Sequence, residues 1–443
     1  MKAINEAVEK HKRLILDAER YIWENPETGY KEVKTSAYMA EKFRELGYEL
    51  TMAEGITGFF TVVDTGKPGP EVLVLGELDS IICPTHPEAD KTTGAVHSCG
   101  HNAQCAALLG IAAALREPGI LEGLSGRIRL CAVPAEELLE IEYRRGLRKE
   151  GKIKYFGGKS EFLYRGYFDG VDMALMIHTS AGNAIIGGMN GCIAKNIIYK
   201  GRASHAGSSP WSGINALYAA NCGLNAVNAL RETFREADSI RVHPIVTAGG
   251  SMVNAIPDTV RLESYVRGRS FDAITRENTK INRALCGAAL SLGANVEIID
   301  IPGYAPLNND PNMMELAKRA FELILPDEKL RYEPSYFDTA STDMGDLSSI
   351  MPVVHPNCAG NKGTSHGSDY YIENPRRACI NSAKWQVAIL KLLLSDGAAE
   401  AKRIISEAKP PFASKEEYLS YVDSISSDGD RITYNDDGTA TVR

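Results

Sequence analysis

The 443-residue sequence has no disulfide-like cysteine spacing, no excess of positive charge and no apolar run of membrane length. Its nine cysteines contain no CxxC pair, and an odd, irregular set reads as reduced thiols rather than a disulfide framework. Lys plus Arg number 49 against 57 Asp plus Glu, a net charge of −8, which argues against nucleic-acid or anionic-membrane partners. The longest low-polarity run, Cys105 to Leu115, falls short of the roughly 20 residues that cross a bilayer. The first residues, MKAINEAVEKHKRLIL, are charged and amphipathic and lack the apolar core of a signal peptide. The expectation is a cytoplasmic protein without nucleic-acid or membrane partners.

What is present is ordinary globular composition, 44% hydrophobic and 24% charged, at a length that favours two domains. Helical spacing runs through Ile15, Leu16, Ala18, Tyr21 and Ile22, and a second helix is predicted from Thr35 to Leu46. Strand-like runs follow at Gly58 to Val63 and Glu71 to Gly76, then a small-residue helix after His101, then apolar runs at Ile128 to Val133 and Met173 to Ile177. That alternation predicts an α/β fold with a mostly parallel sheet. Past residue 188 the order becomes strand (Ile193 to Tyr199), helix (Ile214 to Phe234), two strands (Val242 to Thr247, Val260 to Arg267), helix (Phe271 to Leu292) and strand (Ala294 to Ile301). This is the split βαβ order of a ferredoxin-like α+β sandwich. The predicted organisation is a catalytic domain in two pieces, 1–187 and 306–443, with an inserted domain at 188–305. The tail beyond Pro410 predicts one helix, opened by a capping box from Ser414 to Glu417, then a short hairpin or loose extension.

The chemistry-bearing residues fall in four short patches, each after an apolar run, where α/β sheets place their sites. Glu77 and Asp79 stand two apart at a strand end. Cys99 and His101 flank a glycine, and thiolate with imidazole suits zinc. Glu136 and Glu137 end the run RLCAVPA; one carboxylate can bind a metal while the other handles a proton. His178 and His366 are isolated, and each alone reads as a structural histidine. Together, Cys99, His101, Glu137, His178 and His366 are five potential ligands with Asp79 and Glu136 to spare, about what two metals sharing a bridge require.

The motifs GELDSI, GAVHSCGH, VPAEE, FDGVDMALMIH, GRASHAGSSPWSGINAL, GGSMVNAIPDTV and HGSDY, in this order, resemble the aminoacylase/carboxypeptidase family of dinuclear metallopeptidases. The Cys-Gly-His patch resembles its amidohydrolase branch. Asn102 and the GTSHGSDY ending are most similar to aminobenzoyl-glutamate hydrolase-like and dipeptidase members. The resemblance implies a zinc-peptidase-type catalytic domain with a ferredoxin-like lid and dimerisation domain. It implies a homodimer that cleaves N-acyl or N-aroyl amino acids, or dipeptides, by attack of a metal-activated water. Cys99, His101, Glu137, His178 and His366 would hold two divalent ions, most simply Zn²⁺, with Mn²⁺ or Co²⁺ open, and Cys99 would bridge. Glu136 would be the general base and Asp79 would orient ligands from behind. His205 would reach across the dimer to stabilise the oxyanion, and Asn254 and Arg267 would hold the substrate carboxylate, for which a guanidinium fork is suited.

The branch usually carries Asp and His where this chain has Asn102 and Gln104. Those departures motivate an alternative, a catalytically silent relative that binds a small acidic ligand. A third reading makes Cys99 a nucleophile with His101 as its base. The run Tyr143 to Glu150, within the long stretch between Glu137 and His178, reads as a solvated helix face rather than a pocket wall.

Overall fold

The computed structural model describes residues 1–443. A mixed six-stranded sheet runs Thr51–Met52, Phe59–Asp64, Arg127–Val133, Glu71–Glu77, Met173–Leu175, Val353–Val354. The four strands from Arg127–Val133 onward pair in parallel, and the first three pair antiparallel. Glu71–Glu77 is central and wholly buried, as its unbroken apolar run VLVLG requires. One face packs on the helices Lys12–Glu24, His101–Leu115, Pro311–Ile324 and Ser382–Leu394 around a core of 58 buried residues. The other face packs on Gly158–Tyr164, Met344–Ser348 and Lys415–Ser424.

All fifteen residues of the His101–Leu115 helix are buried, which explains its alanine-rich sequence. At Gly110 a Cβ would stand 2.7 Å from the terminal methyl of Ile15, so the glycine lets the two helices approach without displacing that side chain.

Between Gly191 and Tyr304 the chain builds a five-stranded antiparallel sheet: Gly191–Lys200 and Thr259–Gly268 at the centre, Asn295–Tyr304 on one side, Arg241–Val242 and Ile245–Ala248 on the other. Helices Ala216–Leu230 and Phe271–Ser291 cover one face around a second core. The element order agrees with the split βαβ reading. The second face is covered too: Leu138, Ile141, Ile153 and Phe156, from the stretch after Glu137, pack on Ala194, Ile198, Ile299 and Ile301. The helix Ile141–Lys149 therefore departs from the solvated face read in the sequence. It buries Arg144 and Arg145, and its exposed residues are Glu142 and the last turn.

The tail is also structural. Ser414 Oγ accepts a hydrogen bond from Glu417 N, as a capping box requires, and Ala413 N donates to Glu417 Oε2. Beyond it, Ser427 and Asp430 bridge to Asp300 and Glu297 at the edge of the Asn295–Tyr304 strand, and Ile432 enters the second core. A small hairpin, Ile432–Tyr434 with Ala440–Val442, ends the chain. No helix is long and apolar enough to cross a membrane.

Candidate active site

Four chain segments converge at the carboxyl ends of the central strands. Glu77 closes its strand and Asp79 follows two residues on. Both reach the imidazole of His101 from opposite sides: Glu77 Oε2 lies 3.2 Å from Nε2, and Asp79 Oδ1 lies 3.2 Å from Nδ1, with the Asp79 carbonyl at 2.9 Å. Asp79 also accepts Glu137 N at 2.8 Å, so one carboxylate orients two neighbours. Gly100 adopts φ +91°, and a Cβ there would stand 2.4 Å from Tyr370 Oη. This left-handed residue starts the helix and turns Cys99 and His101 toward the same point.

The turn carrying Glu136 and Glu137 is held in an unusual shape. Ala135 has φ +56°, a costly conformation for alanine that surrounding contacts must over-determine. Ala135 N donates to buried Glu32, and Gly158 N donates to Ala135 O. The next three carbonyls each receive a side-chain donor: Tyr304 Oη to Glu136, Arg144 Nη2 to Glu137 and Tyr265 Oη to Leu138. Two of these donors come from the inserted sheet. None stood out in the sequence, where Tyr265 and Tyr304 are isolated strand aromatics and Arg144 is one of a basic run.

Donor atoms cluster in three groups, two of which share Cys99: Cys99, His101 and His178; Cys99, Glu137 and His366; and, sharing His101, Glu77, His101 and Glu136. Within each group the candidate atoms lie within 4.8 Å of one another. Cys99 Sγ is 3.5 Å from His178 Nε2, and His366 Nε2 is 3.0 Å from Glu137 Oε1. His178 Nδ1 is fixed on the Thr179 carbonyl at 2.7 Å, as His101 Nδ1 is fixed by Asp79, so both Nε2 atoms face inward. Glu77 Oε2 and His101 Nε2 are buried, close, and without a hydrogen bond to any partner. Inward-facing imidazoles backed by carbonyls, a thiol common to two groups and orphaned buried oxygens fit a pair of divalent cations. A thiol–imidazole pair alone would leave Glu137 and His366 without purpose.

The electrostatics agree with that donor set. Burial pushes the Cys99 thiol up and Glu137 adds to this, but His101 and His178 outweigh both and bring it to about 6. Burial opposes charge on His101, yet Cys99 and Glu77 raise it well above the ordinary range. His366 is raised to about 11, chiefly by Glu137. Burial works against ionisation of Glu137, and His366 overcomes it to hold that carboxyl far below the usual range. Burial, then Glu77 and Glu137, raise the Glu136 carboxyl well above the ordinary carboxylate range, the direction a proton-shuttling group needs. Its Oε2 stands 3.9 Å from His101 Nε2.

Beneath the cluster, fully buried Lys159 donates to Glu77 Oε1 at 2.5 Å and to Asp343 Oδ1. Lys159 reaches this depth because Gly158 passes so near Pro134 that a Cβ would meet its carbonyl oxygen at 1.6 Å. Sequence reasoning missed Lys159 and Asp343; a buried lysine is visible only once its partners are. His355, just after the strand Val353–Val354, lines the cavity in front of the cluster and was missed as well.

The cavity in front of the cluster has a volume of about 330 Å³, and its lining includes Cys99, Glu136, Glu137, His178 and His366 together with Tyr265, Arg267, Tyr304 and Asp338. Arg267 is therefore brought to the site. His205 and Asn254 are not. They lie side by side at the far end of the inserted unit, joined by Ala206 N to Asn254 O at 2.9 Å, and neither lines the cavity. Neither Asn102 nor Gln104 lines the cavity: Asn102 Nδ2 donates to buried Glu19, and both amide atoms of Gln104 are unpartnered in the interior. The departures that motivate a silent relative thus leave the donor set untouched.

The chain is similar to known proteins over much of its length. The model of Peptidase family M20/M25/M40 matches residues 73–392. The human Xaa-Arg dipeptidase is 32% identical over 296 residues, 64% of this chain and 62% of that protein's length, so the match spans less than two thirds of it. One of the two p-aminobenzoyl-glutamate hydrolase chains of Escherichia coli is 26% identical over 327 residues, 61% of this chain and 70% of that one. Among solved structures, the Bacillus subtilis YXEP protein, described as a dinuclear metal binding peptidase, superposes with a TM-score of 0.63 at 19% identity over 89% of this chain and 99% of that one.

Proposed function

This chain belongs to peptidase family M20/M25/M40, and from that premise we propose a metal-dependent amidohydrolase that releases an amino acid from a dipeptide or from an N-acyl or N-aroyl amino acid. The observation that carries this reading is the convergence of two ligand groups on Cys99, with the buried Glu136 carboxylate beside them. Cys99, His101, Glu137, His178 and His366 would hold two divalent cations, with Zn²⁺, Mn²⁺ or Co²⁺ as the candidates. When bound, such a pair supplies Lewis acidity to the amide carbonyl and makes a water acidic near neutral pH. Glu136 takes the proton of the attacking water on its carboxylate and returns it to the amide nitrogen as the C–N bond breaks. Asp79 keeps His101 and the Glu137 backbone in place, and Arg267 holds the carboxylate of the departing amino acid.

His205 and Asn254 complete the site from a second copy of the chain, His205 at the oxyanion and Asn254 at the substrate carboxylate. Their distance from their own chain's cavity and the exposed apolar residues around them support this homodimer. We read residues 188–305 as the lid and dimerisation domain, and residues 1–187 with 306–443 as the catalytic domain. Nine unpaired cysteines favour a reducing, cytoplasmic setting. The relatives' substrates set the first panel: dipeptides, N-acyl amino acids and aminobenzoyl-glutamate. Mass spectrometry of that panel, with purified protein supplied with Zn²⁺ or Mn²⁺ and Glu136→Gln as control, should show selective loss of a few amides in the wild type alone. A folded, metal-loaded protein that cleaves none would contradict the proposal.

A further inference from the structure

The strained turn that carries Glu136 and Glu137 is held from the inserted sheet. Glu136 O and Leu138 O each accept a single hydrogen bond, from Tyr304 Oη and from Tyr265 Oη, and neither hydroxyl has another partner. Glu136 and Leu138 are both buried, so losing the donor would leave the carbonyl unsatisfied.

The inserted sheet is built to present these two hydroxyls. Tyr304 lies opposite Cys192 and Tyr265 opposite Ala194, on either side of the strand Gly191–Lys200, and positions two apart on a strand share a face. Ile299 and Ile301 pack on that face as well, and strict alternation would then send Tyr304 to the other one. An extra residue corrects this. Ile193 faces Pro302 and Cys192 faces Tyr304, so Gly303 faces neither, and a bulge of this kind re-aims a side chain. Gly303 is also bare where the turn docks: a Cβ there would stand 2.8 Å from Leu138 Cδ2 and 2.6 Å from Cys192 Sγ. The residue after Tyr304 is pinned in turn, since Ala305 N donates to buried Asp346 at 2.8 Å.

We propose that Tyr304 and Tyr265 are positioning residues for the proton-handling step. Their hydroxyls hold the turn at residues 135–138, and with it the aim of Glu136 at the attacking water and of Glu137 at the cation site. The inserted unit thus supports the base as well as lining the cavity. The kinetic consequence rests on the amidohydrolase reading above, whereas the hold on the turn does not. A misplacement of about 1 Å can cost about 100-fold in rate.

Tyr304→Phe and Tyr265→Phe keep the rings and delete the donors. Hydrogen exchange by mass spectrometry on the Zn²⁺-loaded protein reads the turn directly. Amides at residues 133–140 should exchange about fivefold to tenfold faster in Tyr304→Phe, less so in Tyr265→Phe, with the rest of the inserted unit unchanged. On the panel amide that the wild type cleaves fastest, kcat should fall about 10- to 100-fold in Tyr304→Phe while KM stays within about threefold. Unchanged exchange at the turn overturns the proposal, and so does loosening spread evenly over the inserted unit, which marks a merely structural role. A raised KM with kcat intact also overturns it, because the hydroxyl would then touch substrate. Faster exchange confined to the turn, in a protein whose wild type cleaves no amide, would support the brace and sink the amidohydrolase reading. Cleavage by the wild type with kcat unaltered in both variants would do the reverse.

Discussion

At the carboxyl ends of the central strands this chain buries charge, whereas at the free edge of the inserted sheet it exposes apolar surface. Glu77, His101, Lys159 and Asp343 are all without solvent access. By contrast, Val253 is 100% exposed, Trp211 78%, Ile245 61% and Met252 61%. The strand Ile245–Ala248 pairs on one side only and is exposed along its length. Buried charges persist when partners or metals balance them, and apolar edges persist when another surface covers them. The two regions are therefore built on different terms: the first sets buried opposite charges against one another, the second leaves apolar side chains open to solvent. His205 and Asn254 sit in the second region although the chemistry belongs to the first.

That contrast can be broken from either side. The largest effect should come from the cluster. Glu136→Gln should lower turnover by about 10²- to 10⁴-fold, the usual worth of a general acid–base, with metal content by mass spectrometry unchanged. Chelation should abolish turnover, and Zn²⁺ or Mn²⁺ should restore it. Activity that survives complete metal removal would favour the thiol-nucleophile reading of Cys99. Next in size is Lys159→Met, which strands two buried carboxylates beside each other. It should cost about 3–5 kcal/mol by denaturant unfolding, and Lys159→Met with Asp343→Asn should recover part of that loss. The smallest effect on the folded chain should come from Val253→Asp, within about 0.5 kcal/mol of wild type because the site is fully exposed. In sedimentation the same variant should still shift the protein toward monomer and reduce turnover.

How far the sequence foretells this contrast depends on how local each feature is. Periodicity is local, so the inserted unit reads almost element for element: the predicted helix at Phe271 to Leu292 forms at Phe271–Ser291, and the predicted strand at Val260 to Arg267 forms at Thr259–Gly268. The ligand patches are legible because each follows an apolar strand and carries unusual residue types. Lys159, Asp343, Tyr265 and Tyr304 are illegible because their meaning comes from partners far away in sequence, such as Lys159 with Glu77 and Asp343. The helix Ile141–Lys149 misleads for the same reason: Arg144 looks like part of a solvated basic run until the Glu137 and Phe156 carbonyls are seen to receive its guanidinium. The tail is similar, since its pairing with the Asn295–Tyr304 strand joins positions more than a hundred residues apart.

The central claim is that the buried cluster of one copy works with the exposed edge of another. Mixing two inactive variants tests it directly. Glu136→Gln lacks the base but keeps His205; His205→Ala keeps the base. In a randomly reassorted dimer population half the molecules are hybrids, and each hybrid holds one site with both groups intact. The expected result is recovery to about one quarter of wild-type activity once the two variants have exchanged partners. Mixtures that stay as inactive as their parents, with exchange verified by mass spectrometry, would contradict it.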